Sequence, residues 1–310
     1  MKLTRILLEQ DGKPKALVMA GGGGAGKSYI LNKINTKGVK QLNPDTYVED
    51  PEHQYYNNLS AASHLVQKDV DDAVEKKKDF IWDTTGTNIG NIRKIVDEGY
   101  DVMVVMVYTH PIISFLSNFE RQRSLNKSAV FTTWQKAYDL VDDYRNLLGD
   151  NFYLISNLRG GEYEKKINDF NKAARRGGEG LLQYLDKLTG EEPEKYRSSF
   201  SKPFDITDPE ALEAYKEETR NLDFDEDDAP LVKDLKKHFM KSWDKKGKGP
   251  GEKSMKTKVA AIIRNRDAGE EKFRTVMDEI AKMINDPKFY EALNPSTEAE
   301  VIARANKFLS

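Results

Sequence analysis

The sequence predicts an α/β fold, with a parallel sheet wrapped by helices on both faces over the first half and a mainly α-helical, highly charged C-terminal region. Three observations predict it. Short apolar runs alternate with helical periodicity as far as residue 155, the pattern of strands joined by crossover helices. The first of those runs leads at once into a glycine-rich turn and then into a helix. Beyond Arg159-Gly160-Gly161 strand-like runs cease, and Lys, Glu and Asp dominate.

Ala16-Leu17-Val18-Met19-Ala20 is the first strand, and Tyr29, Ile30, Leu31 and Ile34 mark the helix after the glycines. Val39–Leu42 is a shorter second strand. Leu59–Lys78 reads as a helix with Leu65, Val66, Val70 and Val74 near one face. Phe80-Ile81-Trp82 is the third strand, ending at Asp83. Asn88–Glu98 is helical and Gly99 suits its stop. Val102–Tyr108 is the most apolar strand, as expected of one covered on both faces. Pro111 opens a helix through Ile112, Phe115, Leu116 and Phe119 that leads into Arg121 and Arg123. The polar stretch Ser124–Ser128 precedes a helix predicted over Thr132–Leu148, and Phe152–Ile155 is the fifth strand.

The domain boundary falls at residue 160, with a helical and linker region over 161–228 and a helical C-terminal region over 229–310. Tyr163–Arg176 and Leu181–Leu188 are predicted helices, separated by Gly177-Gly178-Glu179-Gly180. Glu191–Pro209 carries Pro193, Pro203 and Pro209 and reads as a linker. Asp223–Asp228 is acidic and Lys233–Lys258 is lysine-rich, the composition of solvated segments. Helical signal returns from Val259, through Ile262, Ile263, Phe273, Val276, Met277, Ile280, Met283 and Ile284, as one or two helices. Thr297 and Glu300 stand at capping-box spacing before a last helix through Val301, Ile302 and Phe308.

Composition excludes several classes. Lys+Arg 49 against Asp+Glu 51 leaves a net charge of −2, so nucleic acid binding is not indicated by the charge of the whole chain. With Cys 0 there are no disulfides, thiolate metal sites or cysteine nucleophiles. His53, His64, His110 and His238 are too scattered for a local zinc spacing. Ile6-Leu7-Leu8, interrupted by charges, is neither a signal segment nor a membrane span, and we read the protein as cytoplasmic, with no membrane partner.

Gly21-Gly22-Gly23-Gly24-Ala25-Gly26-Lys27-Ser28 satisfies G-x-x-x-x-G-K-[ST] between a strand and a helix, which makes the sheet one of P-loop NTPase type. Glycines let such a loop curl around a phosphate while backbone N–H groups point at the anion. Lys27 can reach the β- and γ-phosphates of ATP or GTP, and Ser28 can bind Mg²⁺. Tyr29 adjoins this nucleotide-binding run, Gly21 to Ser28. Asp45, in Asn43-Pro44-Asp45-Thr46-Tyr47, follows the second strand, and in a parallel sheet its loop emerges at the same carboxyl edge as the P-loop. A carboxylate there can accept the proton of an attacking hydroxyl, or it can simply make an Asx-turn. Asp83 ends the third strand beside Thr84-Thr85-Gly86-Thr87-Asn88, where it can hold the metal or hydrogen-bond a substrate hydroxyl; Thr85 and Asn88 join it as substrate-binding candidates, with helix capping as the alternative for Asn88. Arg121 and Arg123 precede a polar loop between helices, the lid position of small P-loop kinases, where guanidinium groups neutralise transition-state charge. Two residues apart on a helix, they do not share a face; Lys127 is a third candidate.

Residues 14–160 resemble the zeta-toxin and polynucleotide-kinase branch of the P-loop kinases. The resemblance rests on Gly21–Ser28, Asn43-Pro44-Asp45-Thr46-Tyr47, Asp83-Thr84-Thr85-Gly86 and Phe119-Glu120-Arg121. It implies that Asp45 activates the substrate hydroxyl, that Asp83 and Thr85 bind substrate, and that Arg121 contacts phosphate. Zeta-type toxins phosphorylate a UDP-sugar hydroxyl, whereas polynucleotide kinases act on a 5′ hydroxyl. The sequence departs from the family where a second lid arginine is expected, since Lys127–Val130 offers only a lysine. The substrate-defining features after the lid are also absent.

The expectation is therefore a phosphotransferase that moves the γ-phosphate of ATP or GTP to a hydroxyl of a small metabolite, a UDP-sugar or a nucleic-acid end. The alternative is a nucleotide-binding assembly module whose helical C-terminal half engages a protein or nucleic acid partner. A nucleotide-driven mechanical ATPase has the least support, with one P-loop and no arginine-finger partner in view.

Overall fold

The computed structural model describes residues 12–36, 38–48, 59–119, 127–158, 161, 163–191 and 252–310. Two compact units divide the chain: Met1–Gly177 together with Glu279–Ser310, and Gly178–Asp278. This division differs from the boundaries at 160 and 228 expected from composition, and the reason lies in the core of the first unit.

That core is built on five parallel strands: β1 (Lys15–Ala20), β2 (Lys40–Leu42), β3 (Phe80–Asp83), β4 (Asp101–Tyr108) and β5 (Phe152–Ser156). Their order is β2-β3-β1-β4-β5. β1 and β4 are central and almost wholly buried, which explains their uninterrupted apolar runs. The strands expected from the sequence all form, each within one or two residues of the predicted bounds.

Successive residues of a strand point to opposite faces, so Leu17 and Met19 of β1 lie with Ile81, Met103, Val105, Val107 and Ile155 on one face. Two helices cover it. The first, α1 (Lys27–Leu31), follows the P-loop and contributes Ile30 and Leu31; the second is the last helix of the chain (Glu298–Leu309), which contributes Val301 and Ala305. Charge and composition shift after residue 160, but hydrophobic burial does not respect that shift. The final helix is part of the sheet's core. The cap expected at its start forms, with Thr297 Oγ1 accepting from the Glu300 N–H at 3.3 Å.

The remaining helices of this unit are α2 (Asp45–Val48), α3 (Leu59–Glu75), α4 (Ile89–Asp97), α5 (Pro111–Phe119), α6 (Lys127–Asp139), α7 (Val141–Leu148) and α8 (Glu164–Ala174). The single helix expected over Thr132–Leu148 is two, α6 and α7, broken at Leu140. Periodicity is blind to this break because Trp134, Tyr138, Val141 and Tyr144 stay on one apolar stripe through it. α6 also begins inside the polar stretch that was expected to precede it, since polar side chains do not stop a helix.

Helix α9 (Gly177–Glu191) includes the glycines that were expected to separate two helices. The Gly178 N–H donates to Asp278 Oδ1 at 3.1 Å, an anchor from the far side of the second unit that composition does not reveal. Opposite lies α10 (Glu252–Asn285), one helix where one or two were expected. Glu179 and Arg274 pair at 3.0 Å. The unit border falls within α10, after which α11 (Pro287–Leu293) leads to the last helix, α12. The proline-bearing linker past Glu191, the acidic run, and the lysine-rich stretch up to Gly251 lie outside the described residues.

Because Val301 is fully enclosed in the sheet core, Val301→Ala should destabilise the first unit by about 2 kcal/mol in urea unfolding, through lost burial plus a small cavity. An unchanged midpoint would mean that α12 does not belong to that core.

Candidate functional site

Strand register brings the chemistry-bearing loops to one edge. Met19 of β1 pairs with Asp83 of β3, and Leu42 of β2 pairs with Trp82. The β1–β3 ladder continues past both strand ends: the Thr84 N–H donates to Met19 O at 2.9 Å, and the Gly21 N–H donates to Thr85 O at 3.2 Å. The start of the glycine-rich loop is thus hydrogen-bonded to the polar strand end that follows Asp83. Asn43-Pro44-Asp45 leaves β2 at the same edge.

Within the loop, Gly21 has φ +136°, and a Cβ there would stand 2.5 Å from the Val107 carbonyl oxygen, so only glycine fits. Two side chains from elsewhere hold the loop's carbonyls, and a third bonds the strand beneath it. Ser114 Oγ on α5 donates to Gly23 O, and Asn157 Nδ2, just past β5, donates to Ala25 O at 2.9 Å. The Tyr138 hydroxyl on α6 donates to Val107 O at 2.6 Å, beneath the loop. Within the loop the Ala25 N–H donates to Gly22 O at 3.2 Å.

Lys27 opens α1. Its Nζ donates to Gly21 O at 3.0 Å and stands 3.6 Å from Asp83 Oδ1. Asp83 is 8% exposed, so this ion pair is largely shielded from solvent. An incoming phosphate oxygen could take over the hydrogen bond now made to Gly21 O.

A cavity of about 290 Å³ opens beside this pair. Gly23 and Lys27 form one wall, Asn43, Pro44 and Asp45 a second, and Asp83 to Asn88 a third; Ser63, Gln67, Asn91 and Tyr144 complete it. Of the residues expected from sequence to bind substrate, Asp45, Asp83, Thr85 and Asn88 all line this one space. The Asx-turn belongs to Asn43, whose Oδ1 accepts from the Asp45 N–H at 2.9 Å and places Asp45 at the head of α2. Thr85 and Thr87 share a hydroxyl contact of 3.2 Å. Asn88 is the N-cap of α4, its Oδ1 accepting from the Gly90 N–H at 3.0 Å, so the capping alternative is what the structure shows, at a residue that also lines the cavity. Gly86 has φ +71°, and a Cβ would meet the Ala20 Cβ at 2.8 Å. The Tyr144 hydroxyl donates to its carbonyl at 3.0 Å, tying α7 to the Asp83–Asn88 wall.

Other candidates fall elsewhere. Ser28 lies exposed in the first turn of α1. Tyr29 is 56% exposed on the outside of that helix, with the Lys33 ammonium 3.8 Å from its ring centre and Lys33 in turn paired with Glu298. That surroundings set ties α1 to α12. Arg121 and Arg123 lie outside the described residues, and Lys127 begins α6. Sequence reasoning missed Gln67, Asn91, Ser114, Tyr144 and Asn157. The signal available for Asn157 was its place directly after a strand; for the others, helical positions adjoining apolar stripes gave no hint of what they would face.

The zeta toxin family model matches residues 2–135. The N-terminal region is thus similar to the zeta toxin family. None of the curated proteins matches the chain. Solved structures with a likeness to it include AvrRxo1-ORF1:-ORF2 with ATP, at 14% identity and TM-score 0.40, covering 49% of this chain and 57% of that one. The PezAT chromosomal toxin-antitoxin system of Streptococcus pneumoniae matches at 17% identity and TM-score 0.39, covering 47% of this chain and 69% of that one. A gluconokinase from Sinorhizobium meliloti matches at 12% identity and TM-score 0.34, covering 58% and 98%. The chain thus spans little more than half of the first of these. Among the described residues no helix is long and apolar enough to cross a membrane.

The turn between β4 and α5 backs the loop and contains a buried histidine. Thr109 Oγ1 donates to Asn157 O at 2.8 Å, and Thr109 O accepts from Trp134 Nε1 at 2.7 Å. His110 Nδ1 accepts from the Ile112 N–H, so Nε2 carries the proton and donates to Asn171 Oδ1 at 2.9 Å. Burial lowers the pKa of His110 to about 4, with the Asn171 hydrogen bond opposing in part. On acidification the unfolded chain takes up this proton near pH 6.5 while the folded one resists, so stability should fall as pH drops from about 6.5 to 4, by about 3 kcal/mol in all. In His110→Gln this component should vanish from the pH dependence of urea unfolding; an identical slope in the two proteins would contradict a buried neutral imidazole.

Proposed function

We propose that the first unit transfers the γ-phosphate of ATP or GTP to a hydroxyl of an acceptor held between Asp45 and Asp83. The observation that carries this reading is the convergence of Lys27, Asp45 and Asp83 on one cavity at the carboxyl edge of a parallel sheet, beside the loop Gly21–Ser28.

The loop's N–H groups and Lys27 bind the β- and γ-phosphates, with phosphate oxygen replacing Gly21 O as the partner of Nζ. Thr85, Asn88 and Asp83 hydrogen-bond the acceptor and aim one hydroxyl at the γ-phosphorus. As that oxygen forms its bond to phosphorus, the bond from phosphorus to the β–γ bridging oxygen breaks, and the nucleoside diphosphate departs with the electron pair. Asp45 accepts the hydroxyl proton. Because phosphoryl transfer is commonly loose, alignment by Asp45 contributes more than proton removal itself. The hydroxyl of Ser28 and the carboxylate of Asp83, both hard oxygen donors, would hold Mg²⁺, which would supply charge neutralisation at the nucleotide's phosphates.

With γ-labelled ATP, Mg²⁺ and a mixed pool of hydroxyl acceptors, Asp45→Asn should lower transfer by about 100-fold or more while leaving ATP affinity within about twofold. Lys27→Ala should lose both. Undiminished transfer by Asp45→Asn would overturn the role given to Asp45, and ATP bound by the wild type with no acceptor labelled would overturn the kinase reading and favour a nucleotide-binding assembly module.

A further inference from the structure

A second cavity, of about 370 Å³, lies at the carboxyl ends of β4 and β5, and its described lining residues all belong to the first unit. None of them lines the cavity beside Lys27. Strand residues alternate between faces: Val107 and Ile155 pack with α1 and α12, so the next residues, Tyr108 and Ser156, lie on the opposite face. There the Tyr108 ring meets Trp134 and Tyr138 of α6 and Phe289 of α11, with ring centres 5.0 to 6.2 Å apart. The cavity lies between Tyr108 and His110 of the strand end, Ile167 and Asn171 of α8, and Tyr290 and Leu293 of α11.

The Tyr108 hydroxyl is buried and makes no hydrogen bond. Burial raises its pKa well above the usual tyrosine value, with Tyr290 and then Tyr138 adding to the shift, so it stays protonated and able to donate. Tyr290 lines the same cavity, which directs the hydroxyl towards that space. A buried donor left unmatched is destabilising, and an acceptor carried in by a ligand would remove that cost. Beside it, Asn171 Oδ1 is taken by the His110 N–H, which leaves the Asn171 amide Nδ2 as a second donor.

The walls therefore combine two donors with the rings of Tyr108, His110 and Tyr290 and the aliphatic surface of Ile167 and Leu293. Aromatic walls favour a ring packed edge-to-face or offset against them, and the volume lies within the span of small-molecule sites. We infer that this cavity is a second small-molecule site, separate from the proposed phosphotransfer site, and that it takes a compact aromatic molecule whose carbonyl oxygen accepts from the Tyr108 hydroxyl. It does not depend on phosphotransfer.

Benzamide, a ring with one such oxygen, is the probe, titrated into the full chain and followed by ligand-observed NMR. It should bind with a Kd of about 1 mM or tighter. Tyr108→Phe removes only the hydroxyl oxygen, so its urea midpoint should not fall, while its affinity for benzamide should drop about tenfold. Ile167→Phe, which narrows the space, should lose binding. Saturating ATP with Mg²⁺ should leave the wild-type affinity within about twofold. No binding by about 10 mM benzamide would overturn the inference, as would equal affinity in Tyr108→Phe or in Ile167→Phe. A lowered urea midpoint in Tyr108→Phe would mean that the fold itself uses the hydroxyl, and would also overturn it. Displacement of benzamide by ATP would give the cavity to the nucleotide and overturn a separate site, leaving the kinase reading in place.

Discussion

The hydrogen bonds that carry the β1–β3 ladder beyond both strand ends are the constraint on which the site depends. Thr84 to Met19 and Gly21 to Thr85 are ordinary backbone pairings, yet they make the first glycine of the loop and the threonines after Asp83 a single piece of backbone. Neither can shift without the other. In the proposed transfer, where misplacement of an ångström is costly, such rigid coupling is worth more than any one side chain. The Lys27–Asp83 pair bridges the same seam at side-chain level.

Around that seam the helices act as buttresses whose polar tips touch backbone. Tyr138 reaches Val107 O, Trp134 reaches Thr109 O, Tyr144 reaches Gly86 O, and Ser114 and Asn157 reach the loop itself. Each aromatic residue buries a large apolar body and spends its one polar group on a carbonyl that would otherwise be unsatisfied. Burial raises the pKa of the Tyr138 and Tyr144 hydroxyls, which keeps them protonated as donors at any physiological pH. The aromatic content of α6 and α7 is thus a matter of holding the glycine-rich loop and the acceptor wall in one shape.

Much of this was legible in the sequence, for identifiable reasons. The strands of the sheet were readable because burial on both faces removes polar residues from them, as in Val102–Tyr108. The phosphate loop was readable because its geometry admits few residue types, as the contact between Gly21 and Val107 O shows. Asp45 and Asp83 stood out because Asp83 ends a strand and Asp45 opens the short helix that follows another. What escaped was of two kinds. The break at Leu140 leaves the apolar stripe intact, so nothing in the periodicity marks it. Gln67, Asn91 and Tyr144 enter the cavity from helices whose neighbours are decided by tertiary packing, and the same is true of α12. Its Val301 and Ala305 look like any amphipathic stripe until the sheet face they cover is known.

That placement of α12 bears on how the protein comes into being. Val301 meets a sheet whose central strand begins at Lys15, so that face stays open until the chain has been made as far as α12. Contacts of such long sequence separation slow folding, and an exposed apolar sheet face is where a nascent chain associates wrongly. The core behind the glycine-rich loop cannot close until α12 has been made and has reached the sheet, so the loop gains its backing late, however early its own residues are made.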